Sequence, residues 1–373
     1  MKVRSRRRGT LARRGNNVVD IAVHTIGGTV RRFRIFVAFA MWCGIAVVAA
    51  PPSSASVVPI PLRTDPAVSE FAPVQTTYFL AWEQNAASNP NNYNIYAQPL
   101  SGGAPQRVNA RNSQGFSPSA IAGTETMIYQ EVYAGISRLY LYDLSGHLKK
   151  VTPSKVNGQW PYAPVASTKY IAFMRLSSKG RDLMLYNRTT HSLSRIASAT
   201  SACSSCLWPT WVGASHLLYD SCSGRTYVCQ VKILNIGGGT TTVPHQPAPY
   251  SSYGASMDES SNDIYFIRST TYCGLFVELD RWHVGGATTT IYGLPEGIDG
   301  NQTRLGPDQS APGTLDLLYS EWDCLGGQAD IYEIASASSL SPVRAPTSGL
   351  SALAGARHRA EQKAAALGAI PPR

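Results

Sequence analysis

Met127-Ile128-Tyr129-Gln130-Glu131-Val132-Tyr133, a turn at Ala134-Gly135, then Leu139-Tyr140-Leu141-Tyr142-Asp143-Leu144: this stretch decides the fold. Upstream lies Phe116-Ser117-Pro118 and a turn at Gly123. Downstream, the turn Ser145-Gly146-His147 leads into Leu148-Lys149-Lys150-Val151-Thr152. Aromatic and β-branched residues come in short runs with Gly, Ser and Pro between them. That pattern predicts four short antiparallel strands. One such sheet cannot bury both of its faces, so its meaning depends on repetition.

The unit repeats. Trp82, Tyr129, Phe173, Tyr219, Phe266 and Tyr319 hold equivalent places, spaced 47, 44, 46, 47 and 53 residues apart. The following strand is expected to contribute Tyr96, Tyr140, Met184, Lys232, Phe276 and Tyr332. Polar closing strands end the units, as at Leu100–Val108, Asn187–Ile196, Ile236–Val243 and Val284–Ile291. A period of about 40–50 residues with four strands per unit predicts an all-β, six-bladed β-propeller of four-stranded antiparallel blades. A large irregular sandwich has no reason to repeat in register.

The residues Tyr-x-Tyr-Asp-Leu-Ser-Gly-x-x-Lys-Lys-Val-Thr at Tyr140–Thr152 resemble the WD-like repeat of TolB-type six-bladed propellers, as does Leu-Ser-Gly-Gly-x-x-Gln-Arg-Val at Leu100–Val108. That family opens each blade with Ser-Pro-Asp-Gly, of which Ser117-Pro118, Ala163-Pro164 and Gly306-Pro307-Asp308 look like remnants. The resemblance covers roughly three quarters of the chain and implies the propeller and contact with another protein. Its motifs are turn chemistry, so activity must be argued from a site.

The ends read differently. Residues 1–34 hold ten Lys/Arg and one acid, and Ile35–Ala50 is continuously apolar for 16 residues. Pro51-Pro52-Ser53-Ser54-Ala55-Ser56 follows. Residues 1–56 are therefore expected to be an export signal or an N-terminal membrane anchor. Residues 57–70 are expected to be a linker, with either Val57–Leu62 or Leu340–Val343 supplying the strand that closes the ring and removes an open edge. The propeller is assigned to 71–344. The Ala-rich tail, 345–373, is expected to be disordered.

The formal charge of +10 is not a property of the propeller. The first 34 residues contribute +9, and Arg344–Arg373 contributes +4, from five basic residues and one acid. The remainder is 10 − 9 − 4 = −3. The basic residues flank the apolar run and hold their end in the cytoplasm, sending the body outward. Nucleic acid is not an expected partner. The membrane is one only through the apolar segment.

Beyond Cys43 there are six cysteines: Cys203, Cys206, Cys222, Cys229, Cys273 and Cys324. An even number in an exported chain argues for disulfides. The propeller register places all six on the rim where inter-blade crossovers and central turns meet. The expected pairs are Cys203–Cys206, Cys222–Cys229 and Cys273–Cys324. A metal or redox role for Cys203-x-x-Cys206 is the weaker reading.

The search for chemistry is mostly negative. Gly254-Ala255-Ser256-Met257-Asp258 lacks the second glycine of a nucleophile elbow, and no His-Glu-x-x-His occurs. His147, His191 and His283 are expected in solvated turns. Asp220, Glu321 and Asp323 are the carboxylates nearest the cysteine rim, and a glycosidase needs only two. Asp299-Gly300-Asn301 reads as a turn. No catalytic residue, metal site or cofactor is assigned. The aromatics Trp160, Trp208, Trp211, Tyr250 and Tyr253 are expected in crossovers or first strands at the channel mouth, where Tyr and Trp contact peptides or sugars well. These readings predict an exported, non-enzymatic binding propeller of the cell envelope or exterior, with a protein or peptide ligand and carbohydrate as the other class. A secreted glycosidase or polysaccharide lyase and a membrane-anchored extracytoplasmic sensor are the alternatives.

Overall fold

The computed structural model describes residues 59–335, apart from short segments at 66, 87–88, 144, 147, 152–160, 178–179, 201–206, 224–227, 244–249, 271–276, 296–297, 308–314 and 324–328. Trp160, Cys43, Cys203, Cys206, Cys273, Cys324, His147, Leu340–Val343, the basic and apolar N-terminal segment and the tail lie outside the described residues.

All regular structure among the described residues is strand. After β1 (Ile60–Arg63), the first blade is β2 (Val68–Gln75), β3 (Phe79–Ala86), β4 (Asn89–Pro99) and β5 (Gln106–Arg107). The second is β6 (Gln114–Ala120), β7 (Thr126–Tyr133), β8 (Ile136–Asp143) and β9 (Leu148–Lys150). The third is β10 (Pro161–Ala166), β11 (Tyr170–Ser177), β12 (Gly180–Asn187) and β13 (Leu193–Thr200). The fourth is β14 (Leu207–Val212), β15 (His216–Cys222), β16 (Cys229–Asn235) and β17 (Thr240–Thr242). The fifth is β18 (Ser251–Asp258), β19 (Asp263–Ser269), β20 (Val277–His283) and β21 (Thr288–Gly293). The last is β22 (Ile298–Pro307), β23 (Leu315–Asp323) and β24 (Ala329–Ile334), with β1 as its outer strand.

The six inner strands touch in a closed cycle, β2 to β6, β10, β14, β18, β22 and back to β2. The structure is thus a six-bladed propeller. Its ring is closed by β1, which pairs antiparallel with β24 through Ile60–Glu333, Pro61–Tyr332 and Arg63–Ile331. Pro61 is tolerated there because β1 is an outer, edge strand.

The core consists of seams between neighbouring blades. Phe79, Ala81 and Ile95 of the first blade meet Met127 and Tyr129 of the second. Ile128 and Leu139 meet Phe173 and Met184. The seams continue around the ring to Leu80 and Trp82, which pack against Leu318 and Ile331 of the sixth blade. A four-stranded sheet with two apolar faces is buried only by its neighbours, which is why the unit must repeat.

The expected cross-strand partners hold in five blades: Trp82–Tyr96, Tyr129–Tyr140, Phe173–Met184, Tyr219–Lys232 and Tyr319–Tyr332. The fifth blade corrects the expectation. Phe266 pairs with Asp280, because β20 begins only at Val277, and Phe276 lies outside the described residues.

Each inner strand carries an extra residue opposite its neighbour, at Phe71/Val74, Phe116/Ser119, Tyr162/Val165, Pro209/Trp211, Tyr253/Ser256 and Gly300/Thr303. Ala72, Ser117, Ala163 and Gly254 take positive φ of 47°, 51°, 49° and 65° at these bulges. For the three non-glycine residues that costs about 1 kcal/mol or more each, so the surroundings must hold them. The remnants Ser117-Pro118 and Ala163-Pro164 are therefore bulge chemistry, shared by Ala72-Pro73. Gly306-Pro307 is different: it ends β22, past the bulge.

Candidate functional site

The crossovers between blades and the turns joining second to third strands share one face. Just beneath it lies a layer set by the position two residues after each second-strand aromatic. In blades one, two and six, where that aromatic is a donor, the position is an acceptor. Trp82 Nε1 donates to Gln84 Oε1 (2.9 Å), Tyr129 OH to Glu131 Oε2 (3.1 Å) and Tyr319 OH to Glu321 Oε1 (2.9 Å). Where it is Phe, with no donor, the position is arginine and finds an acid on the third strand. Arg175 follows Phe173 and pairs with Asp182 at 2.9 Å. Arg268 follows Phe266 and pairs with Asp280 at 2.5 Å and with Glu278.

The residue directly after the aromatic reaches the next blade. Glu83 Oε2 accepts from Ser117 N (2.8 Å), Gln130 Oε1 from Ala163 N (3.3 Å), and Asp220 from Gly254 N (3.0 and 3.2 Å). In the third blade the equivalent position is Met174, only a weak acceptor, and β14 of the next blade bulges at Pro209, which has no N–H to satisfy.

Asp220, a candidate carboxylate from the sequence, is thus a buried inter-blade acceptor. Burial pushes its pKa up to about 7, against the pull of the Gly254 N–H and the Arg304 guanidinium. Burial in turn lowers Arg304 to about 10, while Asp220 supports its charge. Arg304 donates to Thr303 O and Gln302 Oε1. Glu321 is also raised by burial, against the bond from Tyr319. Asp299 and Gly300 lie in β22, not in a turn as expected. Asp299 Oδ1 accepts from Tyr253 OH (2.7 Å) and Gly300 N (2.8 Å).

The aromatics separate. Tyr250 immediately precedes β18 and Tyr253 lies three residues on within it, both half-buried. The Arg268 guanidinium lies 5.4 Å from the Tyr250 ring centre. Trp208, half-buried near the start of β14, packs edge-on against Tyr162 at 5.9 Å. Trp211 lies near the other end of β14, against the seam of blades four and five, and does not join them.

Cys222 and Cys229 form a disulfide between paired residues at the end of β15 and the start of β16. From it, Cys229 N donates to Ser251 Oγ and Val231 N to Ser252 Oγ, both at 3.1 Å. The clamp therefore runs directly into Tyr253. Among the described residues no three His, Cys, Asp or Glu side chains converge as a metal site would require. His283 and His216 pair instead with Asp263 and Glu259. The polar layer and the strand-to-strand bonds carry no sequence motif, but the alternation of Tyr-x-Glu with Phe-x-Arg was a readable signal.

No protein-family model matches the chain, and no curated protein matches it in sequence. Solved structures do. TolB from Acinetobacter baumannii is 11% identical, with 74% of this chain and 81% of that one covered and a TM-score of 0.44. The β-propeller domain of the Trilobed protease from Pyrococcus furiosus, described as having an open velcro topology, is 9% identical over 72% and 95%, with a TM-score of 0.47. A putative TolB from Agrobacterium tumefaciens is 13% identical over 71% and 89%, with a TM-score of 0.43. In fold, the chain is a six-bladed β-propeller, as its six four-stranded sheets and closed cycle of inner strands show.

Proposed function

We propose that the chain is an exported, non-enzymatic binding propeller of the cell envelope or exterior, taking a protein or peptide at the crossover face over blades four to six. Residues 1–56 serve as its export signal or membrane anchor. The observation that supports this reading is the rigid aromatic step at Tyr250 and Tyr253. The Cys222–Cys229 clamp, the Ser251 and Ser252 bonds, Arg268 and Asp299 all hold it. Aromatic side chains pre-positioned in this way bind with little loss of conformational freedom. The carboxylates that a glycosidase or lyase would use, Asp220 and Glu321, are engaged with Gly254 N and Tyr319 OH.

The test is selection of peptides from a displayed random library on the oxidised full chain. Selected peptides are expected to lose at least about tenfold in affinity for Tyr250→Ala, as removal of an interface anchor does. Equal binding by the variant, or failure to select any peptide, sinks the reading. Turnover of a polysaccharide that Glu321→Gln abolishes establishes the enzymatic alternative instead.

A further inference from the structure

We propose a second, separate ligand site between blades one and two, built to hold a carboxylate-bearing carbohydrate. A cavity of about 410 Å³ opens there, lined among others by Asn92, Arg111, Asn112, Gln114 and Gly135. Its walls come from the start of β4, the crossover from β5 to β6, and the turn between β7 and β8.

The crossover is held from behind. Arg107 Nη2 donates to the carbonyls of Ala110 (2.7 Å), Arg111 (3.2 Å) and Ser113 (3.0 Å). The buried Asn109 amide nitrogen reaches Ser113 O (3.0 Å) and Asn94 Oδ1 (3.3 Å), and its oxygen accepts from Ile95 N (2.9 Å). A Cβ on Gly115 would lie 2.7 Å from Ile95 and 3.0 Å from Asn109, so only glycine lets the segment pass this closely. With the Ala110, Arg111 and Ser113 carbonyls bound by Arg107, the wall is a fixed surface, which is how a preorganised site limits the entropy lost on binding.

The chemistry of the lining selects the ligand class. Its lining residues include one arginine, three side chains with primary amides and no acid. Arg111 is exposed and makes no ion pair among the described residues. Gln114 Nε2 is committed to Asn91 O at 3.0 Å, which leaves its oxygen as an acceptor. A guanidinium takes a carboxylate in paired, charge-assisted bonds. Amides that both donate and accept suit hydroxyl groups. An acidic peptide would satisfy the guanidinium and offer backbone N–H groups to the amide oxygens, but a sugar acid presents several hydroxyls, each both donor and acceptor, within the same small volume. The cavity volume lies in the range of small-ligand sites.

The experiment is calorimetric titration of the full chain with a glucuronic-acid-containing disaccharide, its carboxyl-reduced neutral counterpart, and a Glu-rich peptide. The acidic disaccharide is expected to bind. Arg111→Ala and the neutral sugar are each expected to weaken binding at least about tenfold, the usual effect of losing a charge-assisted bond. Asn112→Asp, which sets a like charge in the wall, should act in the same direction. Both side chains are exposed, so thermal melting of the two variants should match the parent. Where Arg111→Ala alone melts lower, Asn112→Asp decides. Tyr250→Ala should leave the titration unchanged, which separates this site from the peptide-binding face. The inference is overturned by no binding of the acidic disaccharide, by equal binding to both variants, or by Arg111-dependent binding of the peptide alone.

Discussion

Blades six, one and two differ from blades three and five at one layer. In the first group the cross-strand pair is ring on ring: Tyr319–Tyr332 at 5.8 Å, Trp82–Tyr96 at 6.1 Å and Tyr129–Tyr140 at 5.9 Å, all nearly parallel. Each first ring then donates a hydrogen bond two residues on. In the second group a Phe has nothing to donate, and Arg175 and Arg268 pair with third-strand acids. Blade four, with Tyr219–Lys232 and Ser221, belongs to neither and has a disulfide at its end instead. The backbone register is shared throughout. One fold thus satisfies the same buried layer through a hydroxyl or indole donor or through an ion pair, and only in the second does each acid depend on a cation that cannot be removed cheaply.

The largest effect is expected in blade four, outside both groups, and sets the scale for the comparison. Asp220→Ala removes the acceptor of Gly254 N and the charge beside Arg304, both buried. It is expected to cost about 3 kcal/mol or more in urea unfolding. A cost under about 1 kcal/mol would show that Asp220 holds nothing between the blades.

Arg268→Met comes next. It leaves Asp280 and Glu278, already raised by burial despite the arginine, with no cation. A loss of about 2 kcal/mol is expected. Adding Asp280→Leu to it should restore part of the loss, and a further loss instead would contradict the ionic account.

The hydroxyl side should yield less. Tyr129→Phe and Tyr319→Phe each delete one hydroxyl bond to a carboxylate while keeping the ring stack. About 1.5 kcal/mol apiece is expected, the low end for a hydrogen bond to a carboxylate. Losses larger than that of Arg268→Met would erase the distinction between the two groups.

The smallest effect expected concerns the closing strand. Arg63 lies 4.3 Å over the Trp82 ring and 3.7 Å from Glu70, which is only 2% exposed. Burial is the main cause raising Glu70 to about 7 from 4.5; Arg63 opposes it, and Asp330 and Asp65 add to it. A folded pKa above the unfolded one means that stability is fully present below about 4.5 and is lost as pH rises through about 7. Arg63→Ala removes the opposing cation, so melting temperature should fall more steeply between pH 5 and 8 than in the parent. Parallel pH profiles would show that Arg63 does not act on Glu70.

Much of the architecture was legible because propeller blades are local. Each blade is one run of chain with its own turns, and the aromatic spacing marks its second strand directly. Hence five of six cross-strand partners were readable, and the sixth failed where Phe276 precedes β20 and the aromatic rhythm was followed past a charged strand. The candidate site was legible only in part. Tyr250 and Tyr253 lie at the start of an inner strand, as read, while Trp211 was grouped with them by composition although strand direction carries it to the other end of β14. Asp299-Gly300 looked like a turn because its residue types favour turns, and the sheet overrode that preference.

By itself, then, the sequence determined the four-strand blade, the six-fold repeat, the third-strand positions of five blades and the segregation of charge to the chain ends, since these rest on spacing and composition along the chain. The tertiary structure decided that β1 closes the ring and that Asp220 serves the next blade's Gly254 N–H, as Glu83 serves Ser117 N–H and Gln130 serves Ala163 N–H. These pairings join residues about 34 to more than 250 positions apart, and no local spacing specifies which buried donor meets which acceptor once six sheets close on one another.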